Sequence, residues 1–286
     1  MNPSTFPSTF DASVDAGLEW VTDSGAQVFE WLNDVLTGLV NGLTWVLNLA
    51  PFYVVALVFG ALAWRLSGHW RSAALTAIGL LICAFLGLWT ETMSTLALVL
   101  AATTLALLVG IPLGVMGGLW PKLDGVVEPV LDLLQTLPPH IYLLPAIALL
   151  GYGSATALVA TFIVAIPPVL RLTALGIRMT PRPFIELGEA SGTRPAQLFF
   201  MIRLPFALPS IMTGVNQSLM MAFGMVVIAG IVGSGGLGEA IYGAIRTLDI
   251  ARSIDAALAI VILTLILDRM AQNATPSQRE AQHDAH

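Results

Sequence analysis

Long apolar stretches alternate with short polar breaks over most of this chain. The stretch 94–118 contains no formal charge. At about 1.5 Å per helical residue it is long enough to cross a bilayer core of about 30 Å. Because apolar runs of this kind recur, the pattern predicts an all-α polytopic membrane protein. Its seven predicted spanning helices are 50–66, 72–90, 94–118, 127–150, 155–171, 207–231 and 253–269.

Composition supports the membrane assignment. Hydrophobic residues make up 56% of the chain and charged residues 10%, whereas a soluble domain has roughly 25% charged residues. A water-facing surface cannot be built from so few charges, so a soluble protein is excluded. We expect membrane lipid among the partners and no nucleic acid.

Two of the predicted spans have unusual features. The span 50–66 is short and ends at Arg65, and the span 127–150 contains Pro138 and Pro139. Prolines inside a span are tolerated where neighbouring helices or water satisfy the backbone. Before the first span, residues 28–50 mix asparagines with apolar residues, which predicts an amphipathic helix on the outer surface. An eighth span is the alternative.

The basic residues predict the orientation in the membrane. Ten of the twelve Lys and Arg residues fall on one side of the predicted topology, and only Arg246 and Arg252 fall on the other. Basic residues concentrate in cytoplasmic loops. We therefore predict a multi-pass protein of the cell inner membrane with an outer N-terminus, a cytoplasmic loop at 172–206 and a cytoplasmic tail at 273–286. Residues 1–64 agree, since they hold six acidic residues and no basic one.

Small residues mark two places of close backbone approach. Gly110, Gly114 and Gly118 repeat every four residues, a spacing that lets membrane helices pack closely. Packing within one chain and a dimer contact are both compatible with this stripe. Gly233, Gly235 and Gly238 form a G-x-G-x-x-G pattern that follows a predicted helix rather than a strand. That context predicts a tight re-entrant turn instead of a nucleotide site.

The chain has no pattern for chemistry of its own. A phosphate-binding loop needs Gly-Lys followed by Ser or Thr, but the only lysine, Lys122, follows a proline. The four histidines and the single cysteine do not form a catalytic or metal-binding constellation. We therefore predict no enzyme, no catalytic residue and no metal site. Two acids within reach of the membrane, Asp132 and Glu239, are candidate proton-relay residues, although Asp132 also lies close enough to the boundary to extend into water.

A polar segment interrupts the apolar pattern at residues 186–205, "ELGEASGTRPAQLFFMIRLP". Gly192 lies between two short helical stretches, so the segment predicts a helix, a glycine break and a second helix ending near Leu204 and Pro205. Ordered structure in a charged loop indicates docking of a protein partner. The alternative is a loop that is merely solvated.

The spacing in this segment resembles the "EAA" loop of ABC-importer permeases, E-A-A-x3-G-x9-I-x-L-P. Leu187 and Gly188 replace its two alanines, and the other positions keep their spacing. In that family the loop is a coupling helix that enters a groove on the ATPase subunit. The resemblance therefore implies a coupling role for Glu186, Gly188, Glu189, Gly192, Ile202, Leu204 and Pro205.

The resemblance covers about residues 94–271. The segments "LDLLQTLPPHIYLLPAIALLGYG" and "GVNQSLMMAFGMVVIAGIVGSGGLGEAI" are similar to permease subunits of glycine betaine/proline betaine ABC importers. The resemblance implies a MetI-like domain over 91–272 that contains the coupling loop. Residues 1–90 would then hold an acidic outer tail, the amphipathic helix and two extra spans.

This family membership would imply ATP-driven uptake of betaine osmoprotectants by alternating access. The implied partners are an ATPase subunit that holds ATP and Mg²⁺, an extracytoplasmic binding protein, a second copy of the chain and a small zwitterionic or cationic substrate. No cofactor is expected in this chain. Choline, carnitine or another quaternary amine is an alternative substrate, and a secondary transporter or channel that needs no ATPase is an alternative mechanism.

Neutral polar residues within the spans are candidates for the translocation path. Their alternative role is hydrogen bonding between helices of the bundle. These residues are Gln135, Thr136, Asn216, Gln217 and Ser218.

Overall fold

A computed structural model describes residues 6–273, and within this range the chain forms helices and no β-strand. The predicted all-α class is confirmed. Three short segments have other helical geometry: 3₁₀ turns at Pro139–Tyr142 and Gly230–Val232, and a π-helical turn at Phe199–Arg203. The α-helices are α1 (Phe6–Asn48), α2 (Phe52–Ser67), α3 (Trp70–Phe85), α4 (Trp89–Leu119), α5 (Pro121–Thr136), α6 (Leu143–Leu150), α7 (Ser154–Arg178), α8 (Arg182–Ala190), α9 (Pro195–Leu198), α10 (Leu204–Ala229), α11 (Gly236–Thr247) and α12 (Ile250–Asn273).

Four helices in the described range are long and apolar enough to cross a membrane. They are α4, α7, α12 and the continuous helix Pro195–Val232, which contains α9 and α10. Two bent helix pairs, within 19–67 and 121–150, bring the number to as many as six. The prediction of about seven spans agrees roughly, since it also counted α3, an apolar helix of 16 residues.

The first three helices are joined by sharp turns. Gly68 has φ 72° after α2, and Gly87 has φ 71° between α3 and α4. The turn at Gly87 ends α3 at Phe85, earlier than the predicted residue 90. The end of α1 meets α2 at an angle of 99°, so α1 runs across the direction of α2. The surface-lying helix stays a prediction, because the bent pair formed by the end of α1 and α2 also fits one broken span.

The centre of the fold is α7, which packs between α4 and α10. The α4 glycines make this possible: a Cβ atom at Gly114 would lie 2.6 Å from the Leu170 carbonyl oxygen, and one at Gly118 would lie 2.7 Å from Ile177 Cβ. On the α10 side, a Cβ at Gly214 would lie 3.0 Å from Val169 Cα. The stripe of small residues therefore packs within one chain. Of the two alternatives, packing within the chain and a dimer contact, the structure shows the first.

The predicted span 127–150 is broken into two helices that meet at 104°. Proline restricts the preceding residue to extended backbone and lacks an amide donor, and Leu137 and Pro138 have ψ angles of 138° and 132°. The Tyr142 hydroxyl donates to the Leu134 carbonyl at 2.5 Å across the bend. Because the prolines interrupt the backbone ladder, this segment does not form the single helix that its apolar length suggested.

Further helix boundaries differ from the prediction, two of them beside the polar segment. Helix α7 continues through Arg171 to Arg178, because the guanidinium of Arg171 finds acidic partners on α5 and does not have to end the helix. The helix beginning at Pro195 continues past Pro205. In the π turn, the Leu204 amide donates to the Phe199 carbonyl. The second half of the polar segment and α10 are therefore one helix.

Candidate functional site

The loop between α7 and α10 (residues 179–203, hereafter the α7–α10 loop) contains a helix, a glycine break and a second helix. Helix α8 ends in a hydrogen-bonded cap: the Gly192 amide donates to the Glu189 carbonyl and the Thr193 amide to the Gly188 carbonyl, both at 3.0 Å. Gly192 has φ 71°, the left-handed conformation that such caps require. The predicted break at Gly192 is confirmed.

Gly188 packs inside the loop. A Cβ atom at this position would lie 2.5 Å from Leu198 Cδ1 and 3.1 Å from Ile202 Cδ1. Glu186 is exposed, and two positions along a helix correspond to about 200° of rotation. Glu186 and Gly188 therefore do not share one face of α8. The surface that approaches Gly188 is the second half of the same loop.

The other coupling residues divide in the same way. Glu189 and Pro205 are exposed, whereas Ile202 and Leu204 are half-buried. Leu204 packs against a buried cluster that contains Ile177 and Ala207. The acids Glu186 and Glu189 thus lie on the loop surface. The half-buried Leu204 instead holds the loop against the spanning helices.

Large apolar side chains on the loop were missed as site residues by the sequence analysis. Leu187 is 65% exposed, Phe200 64% and Met201 72%. The signal was their position in a segment otherwise rich in charge, where apolar residues have no bilayer to face. Exposed apolar surface rimmed by polar residues is typical of a protein interaction site.

The candidate path residues lie in two separate places. Gln135 and Thr136 end α5, and Gln135 accepts a hydrogen bond from Arg171. Asn216, Gln217 and Ser218 lie in α10, and no hydrogen bond within residues 6–273 joins the two sets. Gln217 is exposed, whereas the side chain of Ser218 is fully buried.

Two of the α10 polar atoms have no partner. Ser218 Oγ and Asn216 Oδ1 are buried and lack a hydrogen bond in the described part of the chain. Most buried polar atoms in proteins are satisfied. The alternative role of Asn216 and Ser218, hydrogen bonding between helices, is therefore not seen for these two atoms within residues 6–273.

A row of acidic side chains joins α5 to α7. Arg171 pairs with Glu128 at 3.3 Å and with Asp132, and Arg178 pairs with Asp124. The three acids are spaced four residues apart, so they share one face of α5. Asp132 is 64% exposed, so it reaches both water and a cation of the same chain.

The glycine-rich segment after α10 forms a tight turn. Gly233, Gly235 and Gly236 have φ angles of 70°, 76° and 78°, which confirms the predicted turn. The amide of Leu237 donates to Thr95 Oγ1 at 2.8 Å, and Glu239 accepts from the Gly235 amide at 2.7 Å. Glu239 therefore stabilises the start of α11.

Comparison with known proteins agrees with this architecture. Residues 110–280 match the family described as "Binding-protein-dependent transport system inner membrane component". Solved structures of the MetNI methionine ABC transporter in inward-facing conformations align with TM-scores of 0.58 and 0.55 at 24% identity. The alignment with the higher score covers 66% of this chain and 96% of that chain. This likeness shows a MetI-like fold.

Curated relatives are similar over nearly the whole chain. The glycine betaine transport system permease protein OpuAB of Bacillus subtilis is 40% identical, with 91% of this chain and 92% of the relative covered. ProW of Escherichia coli, a glycine betaine/proline betaine permease, is 38% identical over 92% of this chain and 74% of its own length. GbuB of Listeria monocytogenes, a glycine betaine/carnitine permease, is 37% identical over 85% and 88%.

The matched domain, the MetI-like fold and the similarity to these permeases lead to one assignment. The chain is a multi-pass protein that belongs to the family of inner-membrane permease components of binding-protein-dependent ABC transport systems.

Proposed function

We propose that this permease imports glycine betaine, proline betaine or a closely similar osmoprotectant. Alternating access would be driven by ATP hydrolysis in a separate subunit. Several curated relatives with a similar sequence are named as glycine betaine permeases. The sequence itself provides no Gly-Lys-Ser/Thr loop, which supports an ATPase supplied by another chain with its ATP and Mg²⁺.

The observation that carries the proposal is the surface of the α7–α10 loop. Leu187, Phe200 and Met201 place large apolar side chains on a polar loop that continues into a span. Such residues bury well in a groove of a partner and are unfavourable in water. Glu186 and Glu189 would lie at the polar edge of that contact. Gly188 and Gly192 would act by holding the loop in its shape.

Gly192→Val tests this docking. Valine is strongly disfavoured at φ 71°, whereas asparagine tolerates the left-handed region. We expect Gly192→Val to reach the membrane in normal amounts but to lose betaine uptake and recovery of the ATPase in a pull-down. Gly192→Asn, the matched control, should retain most of both.

Gly42→Val provides a second control, since Gly42 lies in α1 and a Cβ there meets no described atom within 4 Å. It should leave ATPase recovery unchanged. Native uptake by Gly192→Val with the ATPase still bound would show that the loop is only a solvated connection.

The substrate can be identified after reconstitution. The full chain would be placed in liposomes with the ATPase and the extracytoplasmic binding protein, and uptake of radiolabelled glycine betaine would be measured with choline or carnitine as competitors. We expect uptake to require ATP, the binding protein and two copies of the permease per complex. Uptake by the permease alone would instead indicate a secondary transporter or channel.

Polar residues of α5 and α10 would line a weakly binding path. Gln135, Thr136 and Gln217 offer neutral hydrogen-bonding groups that suit a zwitterion. Asn216 and Ser218 flank Gln217 on α10, and each has one buried oxygen without a hydrogen-bond partner within residues 6–273. Gln217→Leu should lower the maximal rate of uptake more than it lowers ATPase recovery. Equal losses would assign Gln217 to assembly instead.

The proposed orientation places the α7–α10 loop in the cytoplasm and the α11–α12 turn outside. Both offer exposed positions for labelling, Ala196 and Leu248. After replacement of the single native Cys83, Leu248→Cys should react with an impermeant thiol reagent in intact cells and Ala196→Cys should not. The reverse pattern would invert the topology.

A further inference from the structure

An open apolar groove runs between α3 and α12, away from the loop and path residues described above. It has a volume of about 310 Å³, within the range of small-molecule sites. Leu75 and Ile78 of α3 and Leu265 of α12 line it and are 70%, 55% and 54% exposed. In a membrane-spanning bundle, apolar side chains exposed in this way face lipid.

The groove exists because the two helices touch at a glycine. A Cβ atom at Gly79 would lie 2.8 Å from Ile262 Cγ2 and 3.1 Å from Ile266 Cδ1. The close approach brings α3 against α12, and the longer side chains around the contact form the walls. The base of the groove is therefore formed where Gly79 lies against the side chains of Ile262 and Ile266.

The groove has the length of one leaflet. It extends from Ser72 to Ile82 along α3 and from Asn273 to Ile262 along α12. At about 1.5 Å per residue, both distances are about 15 Å. Half of a bilayer core of about 30 Å is the same length, so the groove would reach from the headgroup level to the middle of the membrane.

Polarity is concentrated at one end of the groove. Ser72, Arg269 and Asn273 line this end, and the opposite end is lined by Ile82 and Ile262. No acidic side chain lines the groove, and Arg269 forms no ion pair within residues 6–273.

The neighbouring acid, Asp268, forms no ion pair with Arg269 within residues 6–273. Asp268 accepts a hydrogen bond from Gln272 at 2.8 Å and is not part of the groove lining. An exposed guanidinium above an apolar channel complements a phosphate attached to an acyl chain, because its planar fork binds phosphate through two hydrogen bonds.

We propose that the α3–α12 groove binds one phospholipid from the leaflet on the Arg269 side. The headgroup phosphate contacts Arg269, and one acyl chain lies along the groove past Gly79 towards Ile82. An anionic headgroup is favoured over a zwitterionic one, because no acid lines the groove and Arg269 has no ion-pair partner within residues 6–273. The lipid joins the α2–α3 pair to the last helix of the permease domain.

Native mass spectrometry of the full chain tests this site. The delipidated protein would be titrated with phosphatidylglycerol and, separately, with phosphatidylcholine. We expect one phosphatidylglycerol per chain to bind in preference to phosphatidylcholine. Arg269→Gln should weaken phosphatidylglycerol binding about tenfold, as expected for loss of a charged hydrogen bond, and Arg269→Lys should weaken it less.

Two pairs of variants separate this site from general lipid contact. Arg71→Gln removes an exposed arginine that does not line the groove and should leave binding unchanged. Leu265→Trp fills the groove and should reduce binding of both lipids. Leu258→Trp, on α12 but outside the groove lining, should not. Size-exclusion profiles confirm that each variant is folded.

The proposal is overturned if Arg269→Gln and Leu265→Trp bind lipid like the unmodified chain, or if Arg71→Gln loses as much binding as Arg269→Gln. Occupation by detergent only, or by a second copy of the chain, also overturns it. Equal binding of the two lipids overturns the headgroup contact. Because the readout is bound lipid, the result is independent of which substrate the permease carries.

Discussion

Helix α7 packs closely against α4 through glycines, whereas charged side chains join it to α5. Against α4, glycines bring the backbones so close that a Cβ at Gly114 would lie 2.6 Å from the Leu170 carbonyl oxygen. Against α5, the contact includes the ion pairs Arg171–Asp132, with side chains 25% and 64% exposed, and Arg178–Asp124, with side chains 39% and 17% exposed. When two close-packed helices separate, their van der Waals contacts are lost at once. When an exposed ion pair separates, water solvates both charges, and the cost is about 0–1 kcal/mol.

The comparison indicates which part of the permease can move. The α4–α7 contact fixes the two helices as a unit, and α5 is held beside them by interactions that exchange with solvent. The 104° bend at Pro138 and Pro139 adds a place where α5 and α6 can change their angle. In an alternating-access mechanism, we therefore expect α5 to shift against α7 while α4 stays in place.

The largest effect is expected from Gly114→Ala. The added methyl group would lie 2.6 Å from the Leu170 carbonyl and 2.7 Å from Thr173 Cβ, so α4 and α7 must separate. We expect a loss of about 1–3 kcal/mol of stability, seen as a lower unfolding temperature in detergent. An unchanged unfolding temperature would mean that the two helices are not in close contact.

A smaller effect is expected at the pair formed by Asp124 and Arg178. Asp124→Asn and Arg178→Gln each remove one charge of the pair without adding a like-charge contact, and the double variant removes both. A double-mutant cycle of unfolding free energies should give a coupling of about 0.2–1 kcal/mol that decreases in high salt. Additive single effects at low salt would show that the pair does not hold α5.

A comparable effect, with the opposite sign, is expected from Gly125→Ala. Gly125 lies in α5, and a Cβ there meets no described atom within 4 Å. Alanine is favoured over glycine inside a helix by about 0.5–1 kcal/mol, so this variant should raise the unfolding temperature slightly. A decrease of the size expected for Gly114→Ala would place α5 in a close-packed contact as well.

The sequence predicted those features that depend on local pattern. The helical class followed from uncharged runs such as 94–118, and the break at Gly192 followed from a glycine between two helical stretches. Both are properties of neighbouring residues. The tight turn at Gly233 and Gly235 was predictable for the same reason, since successive glycines allow positive φ angles.

Features that depend on distant partners were not predictable in this way. Arg171 was taken as the end of a span because a lone charge is unfavourable in lipid, but its acidic partners lie on another helix. Gly188 indicated a close approach without indicating which surface approaches. Leu187 and Phe200 were not recognised as site residues, because apolar residues in this chain usually face lipid and only the folded loop shows these two to be exposed.

The continuous helix Pro195–Val232 has a mechanical consequence. Its 38 residues correspond to a rod of about 57 Å, and one end lies in the α7–α10 loop while the other reaches the glycine turn at Gly233. A tilt of a few degrees imposed at the loop would displace the far end by several ångströms, and α7 would have to move with it, because Gly214 lies against Val169. This helix can bend at the π turn Phe199–Arg203 and at Pro209, because both interrupt the regular α-helical hydrogen bonding. A displacement imposed on the loop would therefore reach Gly233 only as far as these two places keep their geometry.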